Sequence, residues 1–436
     1  MSIRPLPLLL LCVAGCSSEL VEPGRLRLVH GDEPDPFSEA PPTTRVTVER
    51  VTSAGERKTV YDAATPPKDF ELGQGGIVSF EVQGFAEDGS RRVWGRSIPI
   101  QTAGVAGLSL PLFVSRAARF ARAPGRLQST TAGPLAVIGG RFLMAFGGTD
   151  GDRAGADGYD LGVWAPLRTA PSFGCPSPPC RIESTAVAGD VVLAIGADWA
   201  IWVNFSDGSS GDAPLPEGLD SWSELAGGKT VESDDAQYVV GPTRPGSPSG
   251  WAVRVDADGT LTALKLSTRQ GAAAAWAAGH GLVVAGGSAS VAGVEVLAPG
   301  ATASVVLPYP SDETVGAALL AKNDGVWRTG GTVQGIPAPT VELSLTCGTG
   351  CTASDVGSPL QLSDVVAVDL GSDFIAVGSD AGGRTKARLG VAGSDVELRV
   401  PRSKAAALLL PTGHVAVMGG VDLDGQPVRE VELYAP

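Results

Sequence analysis

The chain has 436 residues, 59 of them glycine, and carries 33 Lys+Arg against 47 Asp+Glu, a net charge of −14. So acidic a chain argues against nucleic acid and anionic lipid headgroups as partners held by charge. Past the leader no apolar run reaches transmembrane length, and short β-branched runs between Gly, Asp and Asn turns indicate an all-β protein.

The first sixteen residues combine a basic start at Arg4, the apolar run Leu6–Val13 and the small residues Ala14-Gly15 before Cys16. This is the organisation of an export signal, too short to span a bilayer. Val13-Ala14-Gly15-Cys16 resembles the lipobox of bacterial lipoproteins. The resemblance implies a signal peptide over residues 1–15 and lipid on Cys16. Because Ser17, not Asp, follows, it also implies sorting to the outer membrane. An ordinary secretory signal with a chance cysteine is the alternative.

Six cysteines are present. Cys12 leaves with such a leader, Cys16 takes the lipid, and the other four form two local pairs, Cys175/Cys180 and Cys347/Cys351. In an exported chain close pairs read as disulfides clamping loops. A four-thiolate zinc site competes, although such sites usually have two-residue spacings.

Residues 16–42 read as lipidated cysteine and tether, acidic and Pro-containing from Pro34 to Pro42. Strand-like runs follow at Arg45–Val51, Lys58–Tyr61, Gly76–Val82 and Arg92–Ile100, with Glu87-Asp88-Gly89 as a hairpin signal. They predict a small Ig- or fibronectin-like β-sandwich over 43–107 that spaces the rest of the chain from the membrane.

From there an apolar strand ending in glycine recurs seven times, with the first glycine at 147, 196, 241, 286, 330, 378 and 419. The separations are 49, 45, 45, 44, 48 and 41 residues, close to one four-stranded propeller blade per repeat. Upstream of the glycines lie runs of small residues, such as Ala272–Ala277 and Ala405–Leu409, suited to the crowded axis. By propensity 272–277 would be helical, but its register between repeats predicts strand. Third strands are predicted at Tyr159–Trp164, Gly293–Leu297 and Glu430–Tyr434. The last repeat stops at Pro436 one strand short, and Leu108–Val114 is expected to supply the missing outer strand, closing the open edge. Six blades and an unrelated segment is the alternative.

The strand, the Gly-Gly and the later Val-Glu-x-Tyr strand resemble the kelch repeat over about residues 120–436. The resemblance implies a seven-bladed kelch-like β-propeller over 108–436. It is degenerate: most repeats lack the kelch tryptophan, and the second, third and sixth have lost one glycine.

Chemistry is sparse. The three histidines, His30, His280 and His414, have no metal-ligand spacing, and no Gly-x-Ser-x-Gly elbow or phosphate loop occurs. Copper-radical oxidases on propellers need more histidines, and neither a sialidase Asp-box nor an arginine triad is present. Asp150, Asp152 and Asp157 form an acidic loop that would meet calcium at best incompletely; Asp256-Ala-Asp258-Gly259 and Asp422-Leu-Asp424-Gly425 read as turns. Arg328 is the one charge inside an anchor strand and must be paired or face a ligand in the axial channel. Trp199 and Trp202 suggest either a glycan platform or packing.

The expected function is therefore a non-enzymatic cell-envelope lipoprotein, without cofactor, whose propeller binds or scaffolds a protein or glycan. A divergent carbohydrate-active enzyme is the alternative, and fold analogy cannot choose between them.

Overall fold

The computed structural model describes residues 23–436 other than 74, 129–134, 148–152, 169–171, 179, 205–208, 242–248, 289–292, 349 and 372. The protein is all-β and propeller-like. Among the described residues the only helical turns are 3-10, Thr102–Val105 and Trp222–Glu224.

Two sheets form the amino-terminal sandwich. Arg45–Thr52, Arg57–Ala63, Ile77–Phe85 and Arg91–Arg96 build the larger one, joined by the short strands Ile100–Gln101 and Ser115–Arg116. Arg25–Val29, Asp69–Glu71 and Ser109–Phe113 build the smaller. Leu26, Val46, Val48, Phe80, Val82 and Leu112 fill the space between them. Alternating strands put these residues on one face each, as the sequence pattern required.

Seven antiparallel sheets follow, spanning 135–174, 184–212, 229–269, 273–307, 318–357, 363–396 and 406–435. The first strand of each lies against the first strand of the next. Ala406–Leu409 of the seventh returns to Leu135–Gly139 of the first, closing a ring. The seven glycine-ended runs are the second strands. They are buried along nearly their whole length because a sheet packs on each face. Ala273–Ala277 is a strand, as its register predicted.

The seventh sheet is completed from the amino-terminal side, but not by Leu108–Val114. Arg119–Arg122 supplies the outer strand, with Phe120 opposite Tyr434 and Ala121 opposite Leu433. Ser109–Phe113 instead pairs in parallel with Arg25–Val29, Leu26 opposite Leu110 and Leu28 opposite Leu112. The physical reason is complementarity. Leu110 and Leu112 face the sandwich core beside Leu26 and Leu28, so this strand finishes that core. The stretch at 25–29 is accordingly part of the sandwich, not tether. Two third strands are also displaced. Arg153–Asp160 ends before a turn at 161–164 that contains Trp164 at φ 50°, and the last third strand runs Glu432–Ala435.

Buried ion pairs brace the ring. Arg269, the last residue of the third sheet, donates to the Gly286 carbonyl (3.0 Å) and pairs with Glu295 (2.8 Å) of the fourth, both side chains being buried. In the seventh, Arg402 donates to the Gly419 carbonyl (3.3 Å) and pairs with Glu432, again fully buried. Gly286 and Gly287 have φ of 72° and 91°, and a Cβ on Gly286 would lie 2.6 Å from the Thr314 carbonyl oxygen. Glycine is therefore required where the arginine grips the turn. The fifth sheet exchanges the charges: Arg328 on its second strand pairs with Asp312 in the preceding connection.

The sandwich docks on one end of the ring, against the turns of the seventh and first sheets. Fully buried His414 sits there among Trp94 (4.7 Å between centroids), Phe113 (5.7 Å) and Trp164 (6.0 Å). Its Nδ1 shares a hydrogen bond with the Thr412 hydroxyl (3.0 Å), and Nε2 has no partner. Burial pushes its pKa down to about 3. In the unfolded chain it protonates near ~6.5. The depressed folded value therefore gives stability that is complete above that pH and lost as pH falls toward the folded pKa. The slope approaches ~1.4 kcal/mol per pH unit. Denaturation midpoints followed from pH 7 to 5, above the carboxylate range, should fall in the native chain and flatten in His414→Phe. An unaltered slope in the variant would assign the effect to other groups.

Candidate functional site

Because strands alternate in direction, the turns after the second strands and the connections between sheets share one end of the ring, opposite the sandwich. This Gly-Gly end is the candidate site. Exposed apolar side chains stand on it: Ile336 (72% exposed) on the hairpin Thr332–Val333 with Ile336–Pro337, Leu423 (69%) on the turn of the seventh sheet, and Leu215 between the second and third.

At this end of the axis Lys229, the first residue of the third sheet's inner strand, crosses to the opposite side. Its Nζ donates to the carbonyls of Ala317 (3.1 Å) and Val365 (3.2 Å), just before and within the inner strands of the fifth and sixth sheets. Burial lowers its pKa, with Asp364 opposing. The ammonium ties three sheets together across the axis. Sequence reasoning missed Lys229, and only its place at the head of an inner strand signalled it.

Of the two readings of Arg328, the structure shows the paired one. It is buried between sheets and held by Asp312, whose other oxygen accepts the N–H (3.0 Å) and hydroxyl (2.6 Å) of Thr314. Trp199 and Trp202 form no platform. Trp199 is buried over Gly196, where a Cβ would meet its ring at 2.1 Å, and half-buried Trp202 lies against Gly259.

The acidic loop weighed as an incomplete calcium site is mostly a strand over its described residues. Asp157 stands in the ladder opposite Ala145, is buried, and accepts the Gly158 N–H (2.8 Å). Asp150 and Asp152 lie outside the described residues. The other acidic turns are turn chemistry: Asp258 accepts the Thr260 N–H (2.9 Å), and Asp422 accepts those of Asp424 (2.9 Å) and Gln426 (2.8 Å). Among the described residues no group of three or more His, Cys, Asp or Glu is arranged to hold a metal ion. His30 Nδ1 meets the Glu33 carbonyl (2.7 Å), and the His280 N–H closes the turn onto Ala277 (3.0 Å).

Both cysteine pairs are disulfides, with Cα separations of 5.6 Å for Cys175–Cys180 and 5.5 Å for Cys347–Cys351. The first ties the connection from the first sheet to the second, and the second closes a turn within the fifth. Two such bridges fit an extracytoplasmic, oxidising compartment. Among the described residues no helix is long and apolar enough to cross a membrane. Cys16 lies outside the described residues.

Fold and site together define an all-β, propeller-like protein whose Gly-Gly end is a surface of loops around a lysine-bridged axis. No protein-family model matches the chain. No curated protein matches it either. Among solved structures it is similar to the structure of YjhT, at 13% identity and a TM-score of 0.42, over 71% of this chain and 96% of that one. It is also similar to YCF48 bound to D1 peptide, at 15% identity and a TM-score of 0.43, over 73% of this chain and 95% of that one. Neither likeness bears on activity or partner.

Proposed function

We propose that this chain is an outer-membrane lipoprotein, anchored through Cys16, whose degenerate kelch-like propeller of seven blades binds a protein or glycan partner without catalysing a reaction. An Ig- or fibronectin-like sandwich holds the propeller away from the membrane. The observation that carries the reading is the division of the ring's two ends. The sandwich covers turns at one end, and the Gly-Gly end offers exposed Ile336, Leu423 and Leu215 among polar turns. Isolated exposed apolar side chains are ordinary, but several on one loop-built end suit a partner. The carboxylates of Asp258, Asp380 and Asp422 bind backbone N–H groups of their own turns, which favours recognition over acid-base chemistry.

Cross-linking in intact cells followed by capture of the chain tests this. The double substitution Ile336→Asp with Leu423→Asp should remove the cross-linked partner, whereas Val60→Asp on the sandwich should leave it. In the same fractions Cys16→Ser should shift the chain out of the detergent phase. Equal capture by all variants would move the binding surface elsewhere, and unchanged partitioning would remove the anchor.

A further inference from the structure

Where the sandwich, the closing strand and the seventh sheet meet, the chain forms a partly open cavity of about 170 Å³. Its walls come from segments far apart in sequence: Glu33 and Glu39, Ser115, Arg116 and Arg119, and Arg399. Both carboxylates are already engaged. Glu39 pairs with Arg119, and Glu33 accepts from the Arg122 Nε (2.8 Å) and backbone N–H (3.1 Å). Burial works against the ionised form of Glu33, but the Arg122 hydrogen bonds outweigh it and hold its pKa below the ordinary value. Arg116 is buried and donates to the carbonyls of Pro36 (3.1 Å), Ala40 (3.3 Å) and Pro41 (3.1 Å).

Two groups are left over. The Arg399 Nε donates to the Phe120 carbonyl (3.0 Å), and among the described residues no protein acceptor meets its terminal nitrogens. Ser115 is 3% exposed, and its Oγ has no hydrogen-bond partner. A buried hydroxyl left unpaired beside a cavity calls for a partner inside it. The walls carry three guanidinium groups against two carboxylates, a local positive excess in a chain of net charge −14. Guanidinium groups suit the planar or tetrahedral oxygens of an anion.

We propose that this cavity binds a small oxyanion, phosphate or carboxylate, held by Arg399 and the Ser115 hydroxyl in the field of Arg116 and Arg119. Bound there, the anion links the connection from the sixth sheet to the seventh with the segment at Ser115 that leads into the closing strand. Ligand and ring closure are then coupled, since whatever binds only the folded state stabilises it.

Calorimetry and thermal unfolding of the full chain in inorganic phosphate, acetate and chloride at constant ionic strength test the site. A saturable heat and a raised Tm are expected with phosphate or acetate and not with chloride, and the two arms tell which oxyanion fits. Arg399→Gln should weaken binding at least tenfold and Ser115→Ala about threefold, while Arg384→Gln on an exposed turn should change nothing. Arg399→Gln also removes the bond to the Phe120 carbonyl, so in each variant the site is read from the anion-dependent heat and Tm shift and not from the Tm alone. Non-saturable responses to both anions, or unchanged affinity in both cavity variants, would overturn the proposal.

Discussion

Replacing Phe120 by alanine should lower the stability of the ring by about 3–5 kcal/mol, the usual cost of emptying a fully buried phenylalanine site. Phe120 stands in the centre of Arg119–Arg122, opposite Tyr434, with ring centroids 5.5 Å apart. It packs with Ile375, Val377, Val415 and Val417, so it joins the closing strand to both the sixth and the seventh sheets. Losing it both opens a cavity and loosens the pairing with Arg119–Arg122 that covers the edge of Glu432–Ala435. An uncovered edge invites intermolecular pairing, so the variant should also aggregate on heating. Leu112→Ala is the comparison. Leu112 is equally buried, but in the sandwich core. Hydrogen exchange should show lost protection in the seventh sheet for Phe120→Ala and in the sandwich for Leu112→Ala. If Leu112→Ala exposed the seventh sheet and Phe120→Ala did not, the closing strand would be Leu108–Val114 after all.

That reversal shows where sequence reading stops. The second strands were legible because consecutive apolar residues such as Val191–Ile195 recur, each followed by glycine, at a blade-length spacing that fits strands buried on both faces. The cysteine pairs were legible because the partners lie only five and four positions apart. Arg119–Arg122 was not, since Arg-Phe-Ala-Arg is short, charged at both ends and apolar only against a partner three hundred residues away. Arg25–Val29 was hidden for a similar reason, its two leucines being explained only by the parallel neighbour. At the candidate site Lys229 gave no local pattern, because its acceptors lie 88 and 136 residues further on. One signal was present and unused. Arg269 precedes Gly286, and Arg402 precedes Gly419, by the same 17 residues, and each repeat then places a glutamate in its third strand.

That repeated pair gives the other large effect. Arg402→Met should cost about 3–5 kcal/mol, because it leaves the Glu432 carboxylate buried without its counter-charge. Desolvation disfavours the charged guanidinium too, and its pKa is lowered for that reason despite the pull of Glu432 and Glu430. The pair is thus a balance of two desolvated ions and not a source of large net stability. Converting the acid as well should recover much of the loss. Gln is the right replacement. Glu432 also accepts the backbone N–H groups of Arg399 on Oε2 (2.5 Å) and Val400 on Oε1 (3.0 Å), and the one oxygen of an amide keeps one of them where a leucine keeps neither. Leu in its place would orphan both part-buried donors, each at a cost toward the lower end of about 1–3 kcal/mol. Arg402→Met with Glu432→Gln should therefore lie well above Arg402→Met alone, and above Arg402→Met with Glu432→Leu, in a urea titration. It should still fall short of the native chain, because the carbonyls of Gly419 and Glu430 have lost the donor that held the Gly-Gly turn. Strict additivity of the two single substitutions would mean that the charges do not sense each other, and that Arg402 serves the turn alone.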